Sequence, residues 1–272
     1  MEKLCHTYGL KPSKNYGQNF LISAEPIEIM LEAAELKSTD TVVEVGPGFG
    51  VLTLPLSLQV KKVFAFEIEK KLAPFWQKEC QKQSNIEIIW GNVLHQFADL
   101  APNLPKNYKV VANLPYQITS AVIRLFLESP NPPTQLVLMV QKEVAERICA
   151  GKGKMSILAV SVQYYAEAMI VAQVPRQLFW PAPQVDSAIL LINVGQKTKV
   201  ERLRTNDFFR VVKAGFSSPR KMLWKNLASG LKIEGAEVKK ILKEVCGSDM
   251  VRAEMLEVAE WSLLTEKLEI RN

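Results

Sequence analysis

The chain has 272 residues, 48% hydrophobic and 23% charged. At roughly 150 residues per domain this is one large domain or two unequal ones, long enough to bury a core without disulfides or a structural metal. The composition excludes a mostly disordered chain, and no apolar run approaches the ~20 residues of a membrane-spanning helix. The net charge of +6 and sequence pI near 9.0 favour acidic partners, nucleic acid first. The chain starts MEKLCHTYGL, with no charged-then-apolar leader. Cys5, Cys80, Cys149 and Cys246 form no C-x-x-C pair, and His6 and His95 are the two histidines. Neither a zinc site nor a disulfide framework is expected, and a reducing cytosol fits.

Strand-like and helical segments then alternate. Pro26 to Leu36 reads as an amphipathic helix capped by Ser23. Thr41 to Val45 reads as a buried strand running into Gly46-Pro47-Gly48-Phe49-Gly50, followed by a helix from Leu52 to Leu58 that Pro55 is expected to kink. Lys62 to Glu67 is a second strand. Lys71 to Gln83 is a helix with Pro74 in its first turn. Ile86 to Trp90 is a third strand, ending at Gly91-Asn92. Lys109 to Ala112 is a fourth, ending at Asn113-Leu114-Pro115-Tyr116. Ala121 to Leu127 is helical, and Gln135 to Val140 is a fifth strand. Glu167 to Val174 and Ser187 to Val194 are β-rich and point to an antiparallel hairpin at the sheet edge. After Gly195 the strand-like runs stop. The pattern predicts an α/β fold: a Rossmann-like, mostly parallel sheet over residues 1–195 and a small all-α domain over 196–272.

The glycine loop follows the first sheet strand and precedes a helix, where glycines let a ligand approach the backbone. Glu67 ends the next strand, 21 residues after Gly46, where a carboxylate can accept from two ribose hydroxyls. Together they indicate an adenosine-containing cofactor. A dinucleotide wants G-x-G-x-x-G with a helix N-terminus facing a pyrophosphate. Here the spacing is G-x-G-x-G, Val51 stands where the third glycine would be, and Glu44 adds acidity. That pattern favours S-adenosylmethionine, whose ammonium welcomes a nearby carboxylate. Gly91-Asn92 would lie beside the cofactor adenine.

Asn113-Leu114-Pro115-Tyr116 lies at the carboxyl end of its strand, on the side where open α/β sheets bind ligands. The Asn113 side-chain oxygen and the Leu114 carbonyl can each accept an N–H from an aromatic exocyclic amine, aiming its lone pair at a methyl group. Pro115 stiffens the turn, and Tyr116 offers a ring for stacking. Phe179, in the proline-rich Leu178-Phe179-Trp180-Pro181-Ala182-Pro183, is the candidate for a second wall. Such a base must be single-stranded or extruded.

Between Lys199 and Lys225 stand Lys199, Arg202, Arg204, Arg210, Lys213, Arg220, Lys221 and Lys225 against Glu201 and Asp207, a local charge of 8 − 2 = +6. Phe208, Phe209, Phe216 and Trp224 are interleaved with them. The run reads either as an amphipathic helix with a solvated basic face or as a phosphate-contacting surface, with Arg210, Arg220, Lys221 and Lys225 as candidates.

Taken together, the motifs resemble the ribosomal RNA adenine N6-dimethyltransferase family of the bacterial KsgA type. Gly17-Gln18-Asn19-Phe20-Leu21, VEVGPGFGVLT (Val43 to Thr53), FEIEKKL (Phe66 to Leu72), Asn113 to Tyr116, FWPAPQVDS (Phe179 to Ser187) and KAGFSSPRKMLWKNL (Lys213 to Leu227) occur in the family's order. The resemblance implies a class I methyltransferase sheet and S-adenosylmethionine bound by Asn19, Leu21, Gly46, Glu67, Asn92 and Asn113, with S-adenosylhomocysteine as product. It implies a target adenine gripped by Asn113, Leu114 and Tyr116 with Phe179 on its other face, and no metal. It also implies dimethylation of two adjacent adenosines near the 3′ end of 16S rRNA in a small-subunit precursor. A monomer is expected, since an RNA face and a cofactor cleft use most of the distinctive surface, and the cysteine usage points to the cytoplasm. Asn92 stands where the family usually has aspartate, so weaker cofactor binding is expected. The rivals are a large-subunit methyltransferase of the macrolide-resistance type and an RNA-binding assembly factor without catalysis. A dinucleotide oxidoreductase explains neither the tetrapeptide nor the basic tail.

Overall fold

In the computed structural model, which describes residues 1–12, 17–195 and 205–268, the alternating segments build one seven-stranded sheet. Helix α1 (Glu2–Thr7) comes first, then the short strand β1 (Phe20–Leu21) and α2 (Glu25–Ala33). Strand β2 (Thr41–Val45) leads into α3 (Thr53–Ser57), β3 (Lys62–Glu67) into α4 (Ala73–Lys82), and β4 (Ile86–Trp90) into α5 (Val93–Leu100). Strand β5 (Lys109–Asn113) leads into α6 (Thr119–Leu127), and β6 (Gln135–Gln141) into α7 (Lys142–Ile148) and α8 (Ile157–Gln163). Strands β7 (Ala166–Val174), β8 (Phe179–Trp180) and β9 (Ser187–Val194) close this part of the chain.

The strand order is β4-β3-β2-β5-β6-β9-β7. The pairs from β4 to β6 are parallel, and β9 runs antiparallel to β6, Ser187 opposite Gln141. The chain winds outward from β2 to β4 and then crosses back to β5, so the order reverses between β2 and β5, where such sheets bind ligands. All five residues of β2 are buried, as a strand covered on both faces requires. At the edge, β7 alternates between exposed and partly buried residues, the signature of a strand with one open face.

The sequence and the structure differ at several boundaries. Helix α2 stops at Ala33, and Ala24, not Ser23, is its N-cap, with no side-chain cap bond. Lys109 Nζ takes the carbonyls of Ala34 and Glu35 at 2.8 and 2.9 Å and Asp40 Oδ2 at 3.2 Å, and Glu35 turns to φ +45°. This long-range cap ends the helix before Leu36. Helix α3 is only five residues long, and Pro55 falls in its first turn, where proline is tolerated. Helices α1, α5, α7 and α8 are not among the elements that the sequence pattern marks.

The chain divides into two compact units, Met1–Ala145 with Glu167–Val194, and Glu146–Ala166 with Gly195–Asn272. The second therefore takes in a stretch that the sequence assigned to the residue 1–195 domain. Helix α9 (Thr205–Gly215), α10 (Leu223–Leu231), α11 (Gly235–Cys246) and α12 (Val258–Lys267) complete it among the described residues. The reason is apolar burial. Met155, Ala159 and Val160 of the earlier stretch share one core with Phe208, Val211, Leu223, Leu227, Leu242 and Trp261, so α8 gains its partners from the helical tail.

Candidate active site

The loop after β2 turns through φ values of +76° at Gly46, +53° at Gly48 and +72° at Gly50, a left-handed backbone that residues with a Cβ rarely hold. The Gly48 peptide is pinned on both sides. Its N–H donates to Glu67 Oε2 at 3.0 Å, and its carbonyl accepts from the Trp76 indole N–H at 3.0 Å. Trp76, on α4, is 1% exposed, so water does not compete for that bond. Phe49 packs with Tyr8, Phe20 and Phe75 at centroid separations of 5.5 to 5.9 Å. The loop is thus anchored through its backbone and through one aromatic side chain.

Glu67 ends β3 with its carboxylate already oriented: Oε1 accepts the Glu69 N–H at 2.7 Å. Burial pushes this carboxyl above its ordinary value, while the N–H groups of Glu69 and Gly48 pull it back. Glu44, on β2, is 1% exposed. Its Oε2 has no hydrogen-bond partner among the described residues. Burial pushes Glu44 up to about 8, the Thr53 side chain opposing and the Glu67 charge adding.

The Glu44 shift gives a stability prediction. Between 4.5 and about 8, the unfolded chain carries this carboxyl ionised and the folded one carries it protonated. Folding then takes up a proton, so the contribution of Glu44 to stability falls as pH rises through that window and levels off above it. Denaturant unfolding of Glu44→Gln, compared with the parent across pH 5 to 9, is expected to show a shallower decline. Parallel curves would place the titration elsewhere.

At the carboxyl end of β4, Asn92 caps α5, its Oδ1 accepting the Leu94 N–H at 3.0 Å. One lone pair of that oxygen is thus taken by the helix, leaving the other for a ligand. Gly17 turns at φ +58°, and a Cβ there would collide with the Gln117 side chain, which brings the N-terminal motif close behind the Asn113–Tyr116 turn. Asn19 donates to the Gly17 carbonyl at 3.3 Å. Strands β1 and β8 pair antiparallel, Leu21 opposite Phe179, joining segments about 160 residues apart. The Asn113–Tyr116 turn is moored by the Leu114 N–H donating to the Met139 carbonyl at 3.1 Å.

All of these candidates line one cavity of about 190 Å³: Asn19, Leu21, Gly46, Glu67 and Asn92 with Asn113, Leu114, Tyr116 and Phe179. Glu44 lines it too. Two supporting residues were not found from the sequence. Trp76 reads there as the apolar face of a helix. Ser187, whose hydroxyl meets the Tyr116 phenol at 2.7 Å, reads as the start of a strand. Neither contact leaves a local signal, because each joins distant segments.

In the helical unit, Arg210, Lys213, Arg220, Lys221 and Lys225 are exposed, and none forms an ion pair among the described residues. Phe208 is buried, and Phe216 packs on Trp261 at 5.6 Å, so these two interleaved aromatics serve the core and the cations face solvent. The buried Asn226 donates to the carbonyls of Gly215 and Ser218 at 2.7 and 3.0 Å, which fixes the approach to Arg220 and Lys221. Lys199, Arg202 and Arg204 lie outside the described residues. Among the described residues no three metal-ligating side chains converge, and no helix is long and apolar enough to cross a membrane.

The chain is 42% identical over 265 residues to the ribosomal RNA small subunit methyltransferase A of Dehalococcoides mccartyi, covering 97% of this chain and 90% of that protein. It is 36% identical over 269 residues to the same-named protein of Clostridioides difficile, with 97% and 93% covered. Among solved structures, it resembles a dimethyladenosine transferase from Plasmodium falciparum, with a TM-score of 0.76, 25% identity, and 90% of this chain and 95% of that one covered. It resembles the 23S rRNA methyltransferase ErmE at a TM-score of 0.74 and 27% identity, with 92% and 100% covered. The family described as ribosomal RNA adenine dimethylase matches residues 9–266. That span takes in the glycine loop, Glu67, the Asn113–Tyr116 turn and the basic helices alike, and the chain belongs to the ribosomal RNA adenine dimethylase family.

Proposed function

We propose that this chain transfers methyl groups from S-adenosylmethionine to N6 of two adjacent adenosines near the 3′ end of 16S rRNA, twice on each, within a small-subunit precursor. The observation that carries the reading is the shared cavity, onto which both Glu67 and the Asn113–Tyr116 turn open. The residues present fit the cofactor: Glu67 offers lone pairs to ribose hydroxyls, and the unpartnered Glu44 Oε2 would accept from an ammonium group, whose charge favours the ionised form that burial alone disfavours. When bound, S-adenosylmethionine supplies an electrophilic methyl group on a sulfonium, so the protein furnishes no nucleophile of its own.

What the protein does is hold the amine. Asn113 Oδ1 and the Leu114 carbonyl accept its N–H bonds and draw the nitrogen lone pair out of conjugation with the ring. Tyr116 and Phe179 offer faces for the base. This is catalysis by positioning and fixed dipoles. The small-subunit substrate is favoured by the named sequence relatives; the fold alone does not choose, since the two solved structures match almost equally. Arg210, Arg220, Lys221 and Lys225 would neutralise rRNA phosphates. A monomer acting in the cytoplasm completes the reading.

The test is a labelled methyl-transfer assay offering small subunits that lack adenine dimethylation, with large subunits in parallel and the product mapped by mass spectrometry. N6,N6-dimethyladenosine at paired small-subunit positions is the expected result. Label in the large subunit alone would transfer the chain to the resistance-type reaction. Tight binding to small-subunit precursors without label would make it an assembly factor.

Asn92 yields a further prediction. Aspartate is as good an N-cap as asparagine, so Asn92→Asp keeps the Leu94 bond and adds charge to the remaining lone pairs. Cofactor affinity is expected to rise about five-fold, the margin between a neutral and a charge-assisted bond. Titration calorimetry showing no gain would remove Asn92 from the adenine site.

A further inference from the structure

The two sides of the proposed base slot come from separate segments, the turn at Asn113–Tyr116 and the loop running from Phe179 to Ser187. A side-chain hydrogen bond joins them. The Tyr116 phenol oxygen and Ser187 Oγ are 2.7 Å apart, either one able to donate. The two ends of this bond are unequal. Ser187 is fully buried and is the first residue of β9, in register with Gln141. Its neighbour Asp186 is held on both sides, its carboxylate accepting the Arg176 N–H at 3.0 Å and its carbonyl accepting the Lys142 N–H at 3.0 Å. Arg176, just before the loop, also holds it by donating Nη1 to the Gln184 carbonyl at 3.1 Å. Tyr116, by contrast, sits on a turn, is partly exposed and lines the cavity. Its ring can swing about two side-chain torsions, and the bond at its far end removes that freedom.

We infer that Ser187 is a positioning residue: through its hydroxyl it sets the plane of the Tyr116 ring, and so the face that the turn presents to the target base. Ser187 does not line the cavity and touches no substrate in this scheme. It acts through Tyr116 alone. This rests on the adenine-methylating reading above. It assigns a task to the serine that ends the FWPAPQVDS motif, which the base-stacking scheme leaves without one.

The experiment is a double-mutant cycle on methyl transfer to undimethylated small subunits, with the parent chain, Ser187→Ala, Tyr116→Phe and the double variant. Each single change removes the same bond and leaves the ring or strand in place. Ser187→Ala is expected to lower kcat about ten-fold with KM for the subunit little changed, the scale of a misoriented reacting group. Its calorimetric affinity for S-adenosylhomocysteine and its Tm are expected to match the parent. The double variant is expected to be no slower than the slower single one, because the bond can be lost only once. Ser187→Thr, which keeps the hydroxyl, is expected to regain most of the rate. A parent-like kcat in Ser187→Ala would overturn the inference. So would losses that multiply in the double variant, or an equal fall in cofactor affinity and Tm, which would mark a merely structural serine. A parent chain inactive on small subunits would instead overturn the reading beneath it, and that outcome shows before any variant is compared.

Discussion

Replacing Asn113 with alanine is expected to cut methyl transfer by about a thousand-fold, the upper range for deleting one fixed dipole aimed at a reacting centre. The fold is expected to survive. Asn113 is the last residue of β5, its backbone in register with Met139, and the next N–H is bonded to the Met139 carbonyl at 3.1 Å. The carboxamide itself makes no hydrogen bond to a described side chain or backbone group, so truncation leaves no stranded partner in the core. Cofactor affinity should fall only a few-fold, because Glu67 and the pinned Gly48 peptide are untouched. Single-turnover rates and calorimetric titration of the same preparation separate the two effects. Asn113→Asp sharpens the test, since it keeps an acceptor where the amine needs one. It is expected to retain more activity than the alanine variant. Equal activity in the two would remove the accepting role, and full activity in either would remove Asn113 from the chemistry.

What made this residue legible in the sequence was its place at the end of an apolar run. Val43, Ala65 and Val110 sit in strands whose continuous apolar character marks burial on both faces, and the residues just past such strands fall on the ligand side of the sheet. Gly46, Glu67, Asn92 and Asn113 were all reachable by that argument. The supports behind them were not. The β1–β8 pair that puts Leu21 opposite Phe179 has two residues on each side, too few to show a period. Trp76 reaches Gly48 and Ser187 reaches Tyr116 across 28 and 71 positions, and no window of sequence contains both partners. The same holds for Lys109, which cut α2 short from 75 residues away. The stretch holding Met155, Ala159 and Val160 packs with the helical tail for a related reason: an apolar segment does not declare which core will bury it.

Reversing the charge at Arg220 and Lys221 is expected to weaken binding to small-subunit rRNA by about ten- to a hundred-fold at physiological salt and to flatten its salt dependence. Both side chains are exposed and have no carboxylate partner among the described residues, so changing them strips no internal ion pair. The segment before them is held by Asn226 through the Gly215 and Ser218 carbonyls, and that anchor does not depend on either charge. The variant therefore keeps its shape and loses its field. Each phosphate neutralised contributes about 0.9 to the slope of log affinity against log salt on a duplex and about 0.7 on a single strand. Losing two contacts should lower the slope by about 1.4 to 1.8, and the direct repulsion of two new carboxylates adds to the loss of affinity. Binding measured across a salt series separates this from a general effect of net charge, which shifts affinity with no change of slope equal to a whole number of contacts. An unchanged slope would take Arg220 and Lys221 off the phosphate backbone. A flattened slope with cofactor affinity intact would place RNA capture in the helical unit and the chemistry in the sheet.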